Sequence, residues 1–261
     1  MNPGACNAVA IAGLLAATLS AAVTPGDALA APEEIQVYLD DVNEPRELGL
    51  EMHVNYVVDG PRQPAYAGQM PSHHVLQVTP EFSYGLAKNW DAGLYLLSAM
   101  GPDGNLYGNG AKLRLKYIAP FTSAFFWGIN FEVGQTAKRV TESAMNAEIR
   151  PIIGWRGGPW LIALNPIVDL AFSSDVSREP AFAPALKIAR TVREGLQLGI
   201  EHHSDMGPLH HIPSFNQQEH VLYGVLDWQK GGFDLNFGIG RGLTSASEKW
   251  VAKMIVGIPF K

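Results

Sequence analysis

The stretch "LGLEMHVNYVV", residues 48 to 58, alternates without a break: Leu48, Leu50, Met52, Val54, Tyr56 and Val58 on one parity, Gly49, Glu51, His53, Asn55 and Val57 on the other. Successive side chains of a strand point to opposite faces, so the pattern predicts a strand with one greasy face and one bearing a carboxylate, an imidazole and an amide. Two environments fit it. In a soluble sheet the greasy face packs inward, whereas in a membrane barrel it meets lipid and the polar face lines the interior.

The rest of the chain favours the barrel. Alternating segments of about ten residues, the length a tilted membrane strand needs, recur at 74–84, 91–100, 111–118, 125–135, 144–155, 160–171, 181–190, 196–204, 219–228, 233–240 and 249–260. No helix-period run or internal repeat competes with them. Short turns at 87–90, 119–123, 156–159, 192–195 and 229–232 take turns with longer polar loops at 59–73, 101–110, 136–143, 172–180, 205–218 and 241–248. Bacterial barrels have short periplasmic turns and longer outer loops, an order that a soluble sandwich has no reason to keep. The expected fold is all-β, a single antiparallel transmembrane β-barrel of about 12 strands spanning 48–261.

The two faces agree with this reading. "KLRLKY", 112–117, sets Lys112, Arg114 and Lys116 against Leu113, Leu115 and Tyr117, while Trp127, Ile129, Phe131 and Val133 oppose Gly128, Asn130 and Glu132. Trp155, Trp160, Trp228, Trp250, Tyr56 and Tyr84 fall near strand ends, where interfacial aromatic girdles belong. Pro80, Pro151, Pro166 and Pro184 fall inside the expected strands, where each removes a ladder donor and calls for a bulge or break.

Composition narrows the function classes. Of 261 residues, 17% are charged, below the roughly 25% of an average globular domain, and Gly 27 and Pro 18 suit many turns. The net charge of -6, with no Lys/Arg cluster, excludes a nucleic-acid partner. Residues 1–30 read as a signal peptide: "AVAIAGLLAATLSAAV" is an apolar core too short to span a membrane, followed by the small-x-small site Ala28, Leu29, Ala30. The competing reading is a retained anchor, because no Lys or Arg precedes the core. The single cysteine, Cys6, lies in this segment, so disulfides and thiolate metal sites are excluded after cleavage. Residues 31–47, rich in Glu and Asp, read as a periplasmic lead-in with an extended piece at 35–39. The alternative is a plug folded into the pore.

The stretches "LGIEHHSDMGP", "EHVLYGVLDW" and "DLNFGIGRGLTSASEKWVAKMIVGIPF", with "IQVYLDDVNEPRELGLEMHVNYV" near the start, resemble a proteobacterial outer-membrane β-barrel family. It is named after the meta pathway of phenol degradation. The resemblance implies a barrel that passively transports small, aromatic or hydrophobic molecules. Its patterns are strands and turns, with no catalytic signature. Barrels of this kind end on an aromatic residue, whereas Lys261 follows Phe260 here.

On the interior parity the sequence places Glu51, His53, Glu81, Lys112, Arg114, Lys116, Glu132, Glu148, Arg150, Asp169 and Lys253, with Gln77, Lys187 and Glu201. Charges so enclosed must pair or meet water, and they serve either to fill a narrow barrel or to form a charged constriction. His202 and Ser204, with Asn216 in the next loop, suggest the His-x-Ser chemistry of outer-membrane phospholipases and lipid A deacylases, an alternative in which serine is the acyl-transfer nucleophile. His202, His203, His210 and His211 form an alternative metal set, against which adjacent strand residues point apart. No cofactor is implied. Expected partners are outer-membrane lipid and lipopolysaccharide, the barrel-insertion machinery and a small-molecule solute. The location expected is the Gram-negative cell outer membrane. A third alternative is a structural barrel with a closed interior.

Overall fold

A computed structural model describes residues 34–174 and 176–259, so the expected signal peptide, Phe260 and Lys261 lie outside the described residues. The strands are β1 (Leu48–Asp59), β2 (Leu76–Ala87), β3 (Trp90–Met100), β4 (Leu106–Ile118), β5 (Phe125–Thr136), β6 (Met145–Gly157), β7 (Trp160–Asn165), β8 (Val168–Ala171), β9 (Ala181–Phe182), β10 (Ala185–Arg193), β11 (Leu196–Asp205), β12 (Glu219–Lys230), β13 (Phe233–Gly242) and β14 (Trp250–Pro259). Pairing between wall neighbours is antiparallel, and β1 joins β14 from Gly49↔Pro259 to Asp59↔Trp250, closing the sheet on itself. β7 and β8 are two halves of one wall strand facing β6, and β9 continues into β10. The wall is therefore the expected twelve-stranded barrel.

Burial inverts the rule of a soluble protein. Leu113 is 59% exposed while Lys253 is 1% exposed, and His53, Gln77, Thr79, Asn130 and Glu201 are buried with it. The polar parity of "LGLEMHVNYVV" faces the interior. At the short-turn end Tyr84, Trp90, Trp127, Trp160, Trp228 and Phe233 stand exposed, and Tyr117 packs against Trp90 at 4.7 Å and Trp127 at 6.1 Å. Such a belt fits the level where acyl chains give way to headgroups.

Each strand proline sits at a gap in the ladder. Pro80 pairs Met52 on β1, but the β2–β3 register skips from Val78↔Ser98 to Glu81↔Tyr95. Pro166 separates β7 from β8, and Pro184 separates β9 from β10. Pro151 pairs Ile129 on β5 and meets no partner on its other side, where β6 passes the β7/β8 break. Proline cannot donate, so the neighbouring ladder opens where it falls. Three of the gaps therefore lie side by side on one stretch of wall.

That stretch receives the N-terminal segment, which has no strand pairing of its own. Residues 34–43 run inside the barrel and 44–47 lie exposed at its short-turn end, so the segment is not wholly the periplasmic lead-in expected. Ile35 packs on Val57, Tyr223, Val225 and Val251, toward the long-loop end. Val37 and Tyr38 pack on Ile118, Phe126, Ile152, Leu161, Ala163, Ile167, Ala185 and Ala189. The segment leaves at the short-turn end beside Gly85, whose N–H donates to the Glu47 carbonyl at 2.9 Å and whose carbonyl accepts from Arg46 N–H at 2.7 Å. A Cβ on Gly85 would come within 1.9 Å of the Glu44 carbonyl oxygen, so only glycine allows this crossing.

Candidate functional site

The interior side chains form ladders because residues opposite each other in the register share a face. Glu51↔Glu81 and His53↔Thr79 pair across β1 and β2, and Gly93↔Arg114 and Asp91↔Lys116 across β3 and β4. The resulting cluster is dense: Arg114 Nη2 donates to Glu81 Oε1 at 2.7 Å, its Nη1 lies 3.0 Å from Asp91, and Lys116 Nζ lies 3.2 Å from Asp41. His53 Nε2 stands 3.3 Å from Glu81 and 3.8 Å from Glu51.

A second cluster centres on Glu201, which takes Lys187 at 3.0 Å, His203 at 3.1 Å and Lys253. Lys187 also reaches Asp227 at 2.8 Å, and Lys253 Nζ donates to the Ile35 carbonyl at 3.0 Å. A third joins Arg150 to Glu148 at 2.6 Å, to Glu34 at 3.5 Å and to the Gln36 carbonyl at 3.1 Å. Buried charges are tolerated when paired this closely, and removing one partner strands the other.

The inner segment is clasped from two sides. Tyr38 N–H donates to Asn165 Oδ1 at 2.7 Å and Asn165 Nδ2 returns a bond to the Tyr38 carbonyl at 3.1 Å, so one amide replaces a sheet neighbour. The Tyr38 hydroxyl meets the Tyr95 hydroxyl and donates to Glu132 at 3.2 Å, and Arg150 lies 4.2 Å from the centre of its ring. Lower down, Arg156 holds Asp40 at 2.5 Å. Between the segment and the β10–β14 wall a chamber of about 440 Å³ remains, bordered by Gln36, Lys187, Gln197, Asp227, Asn236 and Trp228.

Glu51, His53, Glu81, Arg114, Lys116, Glu132, Glu148, Arg150 and Lys253 thus face the interior together. Lys112 falls on the same face of β4, and Asp169 sits opposite Glu148 in the register. Sequence reasoning missed Tyr38, Asn165, Asp91, Asp227 and Tyr95. Asp91 and Tyr95 were legible as the inward parity of β3. Asn165 and Tyr38 were not, because their role depends on each other across 127 positions.

The alternative sets do not assemble. Ser204 donates to the Pro184 carbonyl at 2.9 Å, His202 Nε2 faces His220 Nδ1 at 3.2 Å, and the Asn216 carbonyl accepts from Ser245. The hydroxyl and the imidazole therefore have other partners, and the His-x-Ser pair makes no hydrogen bond between its own two members. Of the four-histidine set, His203 points inward to Glu201, His202 stacks outside on His220 at 5.2 Å, and His210 pairs with Glu179 at 3.3 Å. These three serve separate places, His211 N–H donates to the Pro208 carbonyl at 3.1 Å, and among the described residues the four histidines do not converge on one site.

No family model and no curated protein matches this chain. Solved structures do. An outer membrane channel from Pseudomonas putida F1 matches with TM-score 0.58 at 10% identity, covering 87% of this chain and 100% of that one. The fold is that of an outer-membrane β-barrel. The KdgM porin matches with TM-score 0.54 at 11% identity, over 82% and 99% of the two chains, and the NanC porin with 0.53 at 10%, over 81% and 99%. At these identities the likeness is one of fold.

Proposed function

We propose that this protein is a porin-like, passive transporter of small molecules in the Gram-negative outer membrane, its path being the charged interior beside the segment 34–47. The observation that carries the reading is the inward polar parity around a 440 Å³ chamber, since an interior built only to fill space has no need of one. The fold shared with porins supports it. Aromatic or hydrophobic solutes are proposed from the strand-and-turn resemblance to the family named after phenol meta cleavage, and the chamber offers them Trp228, Leu235 and Leu39 among its polar groups. The reading gives Ser204 no catalytic role, because its hydroxyl is held by Pro184. Lipopolysaccharide and the barrel-insertion machinery are its proposed partners.

One observation favours the closed structural barrel as a second reading: Ile35 packs between Val57, Tyr223 and Val251 beyond the chamber. Single-channel recording and liposome swelling separate the two. A conduit gives conductance steps that lengthen in Asn165→Ala, where the clasp on Tyr38 is gone. Silence in both the wild type and Asn165→Ala establishes the sealed barrel and ends the transport reading.

A further inference from the structure

The cluster around His53 has the donors, the charge and the space for a metal ion. His53 Nε2, Glu51 Oε2 and Glu81 Oε2 bring an imidazole and two carboxylates within 4.8 Å of one another. Zinc bonds of about 2.0–2.1 Å at tetrahedral angles set ligand atoms about 3.3 Å apart. The His53–Glu81 separation of 3.3 Å already matches, and the His53–Glu51 separation of 3.8 Å closes by a small swing of Glu51, whose side chain is 35% exposed. Arg114 fixes the other oxygen of Glu81 at 2.7 Å, the outer support that orients a ligating carboxylate.

Charge points the same way. Asp41, Glu51, Glu81 and Asp91 meet Arg114 and Lys116, which leaves an excess of two negative charges while His53 is neutral. A dication cancels that excess. A polar cavity of about 20 Å³, bordered by Glu51, Glu81, Asp41, Arg114 and Lys116 but not by His53, has room on the carboxylate side for one water as a further ligand. Glu51 also borders the 440 Å³ chamber, so an ion has a way in from solvent. We infer that Glu51, His53 and Glu81 form a divalent-cation site inside the barrel, suited to zinc because an imidazole joins the carboxylates. The inference is independent of whether the barrel conducts.

The test uses the full chain refolded in detergent without a histidine tag, stripped with chelator and dialysed against Zn²⁺ alone. The expected result is about one Zn²⁺ retained per chain, weakened at least about tenfold in His53→Ala and in Glu51→Gln and unchanged in His202→Ala. Co²⁺ substituted at the site gives the visible bands of a four- or five-coordinate ion, lost in His53→Ala. Should His53→Ala fail to fold, as judged by its heat-modifiable migration, Glu51→Gln carries the test, because it leaves the Glu81–Arg114 pair in place. Absence of retained zinc in the wild type, equal retention by Glu51→Gln, or loss on His202→Ala overturns the site; the first would mean that protons balance the charge.

Discussion

The inner segment 34–47 leans on two walls of different character. On β2, β3 and β4 the interior face is ionic: Glu81, Asp91, Arg114 and Lys116 stand in continuous strands, and Lys116 reaches Asp41 of the segment. From β6 to β10 the wall is broken by prolines, and beside the charged Glu148, Arg150 and Lys187 its interior face carries an apolar patch of Ile152, Leu161, Ala163, Ile167, Ala185 and Ala189, with Asn165 as the amide that grips Tyr38. The ionic wall pairs mostly within itself and meets the segment through polar contacts, Lys116 on Asp41 and Tyr95 on the Tyr38 hydroxyl. The apolar wall is incomplete without Val37 and Tyr38, because its inward residues would otherwise line a wet lumen. The polar interior thus runs around most of this barrel and is interrupted by a dry patch built against the chain's own N-terminal part.

The comparison can be broken most severely at Arg114. Arg114→Met leaves Glu81 and Asp91 buried without their shared cation, and a loss of about 3–5 kcal/mol is expected in reversible urea unfolding from lipid vesicles. A loss under about 1 kcal/mol would mean that water reaches this wall. Asn165→Ala acts on the other wall: it strands the N–H and carbonyl of Tyr38, with an expected cost of about 1–3 kcal/mol and faster protease cleavage within 34–47. Tyr38→Phe sharpens the boundary between the walls, since this hydroxyl joins Tyr95 and Glu132; about 1 kcal/mol should be lost, with the apolar packing kept. The smallest effect belongs to Asp40→Asn. Its partner Arg156 is 42% exposed, so about 0.2–1 kcal/mol is expected at low salt and nothing measurable at high salt. The Asn165→Ala effect should not depend on salt, and a salt dependence there would erase the distinction between the walls.

Much of the barrel was legible before any coordinates. The parity of 48–58 and the alternation of short turns with long loops gave its strands, whose ends differ from the observed ones by a few residues. The four prolines marked real gaps, two of which divide single expected strands into β7/β8 and β9/β10. A fainter signal was also present. In "WLIALNPIV", 160–168, both parities are apolar apart from Asn165, which is what a strand buried on both faces looks like. With lipid on one side, something dry had to lie on the other.

By itself the sequence determined which side chains share a face, because a strand's period of two is a local property of the backbone. It thereby settled that charge would be enclosed and apolar area turned outward. Only the tertiary structure decided which charges meet and what fills the interior. Glu201 finds Lys253 because the curvature of the wall turns the inward faces of β11 and β14, with two strands between them, toward each other, and Tyr38 finds Asn165 because the lumen is narrow enough for one segment to touch several walls at once. Those meetings depend on closure of the sheet, a condition that no local pattern encodes.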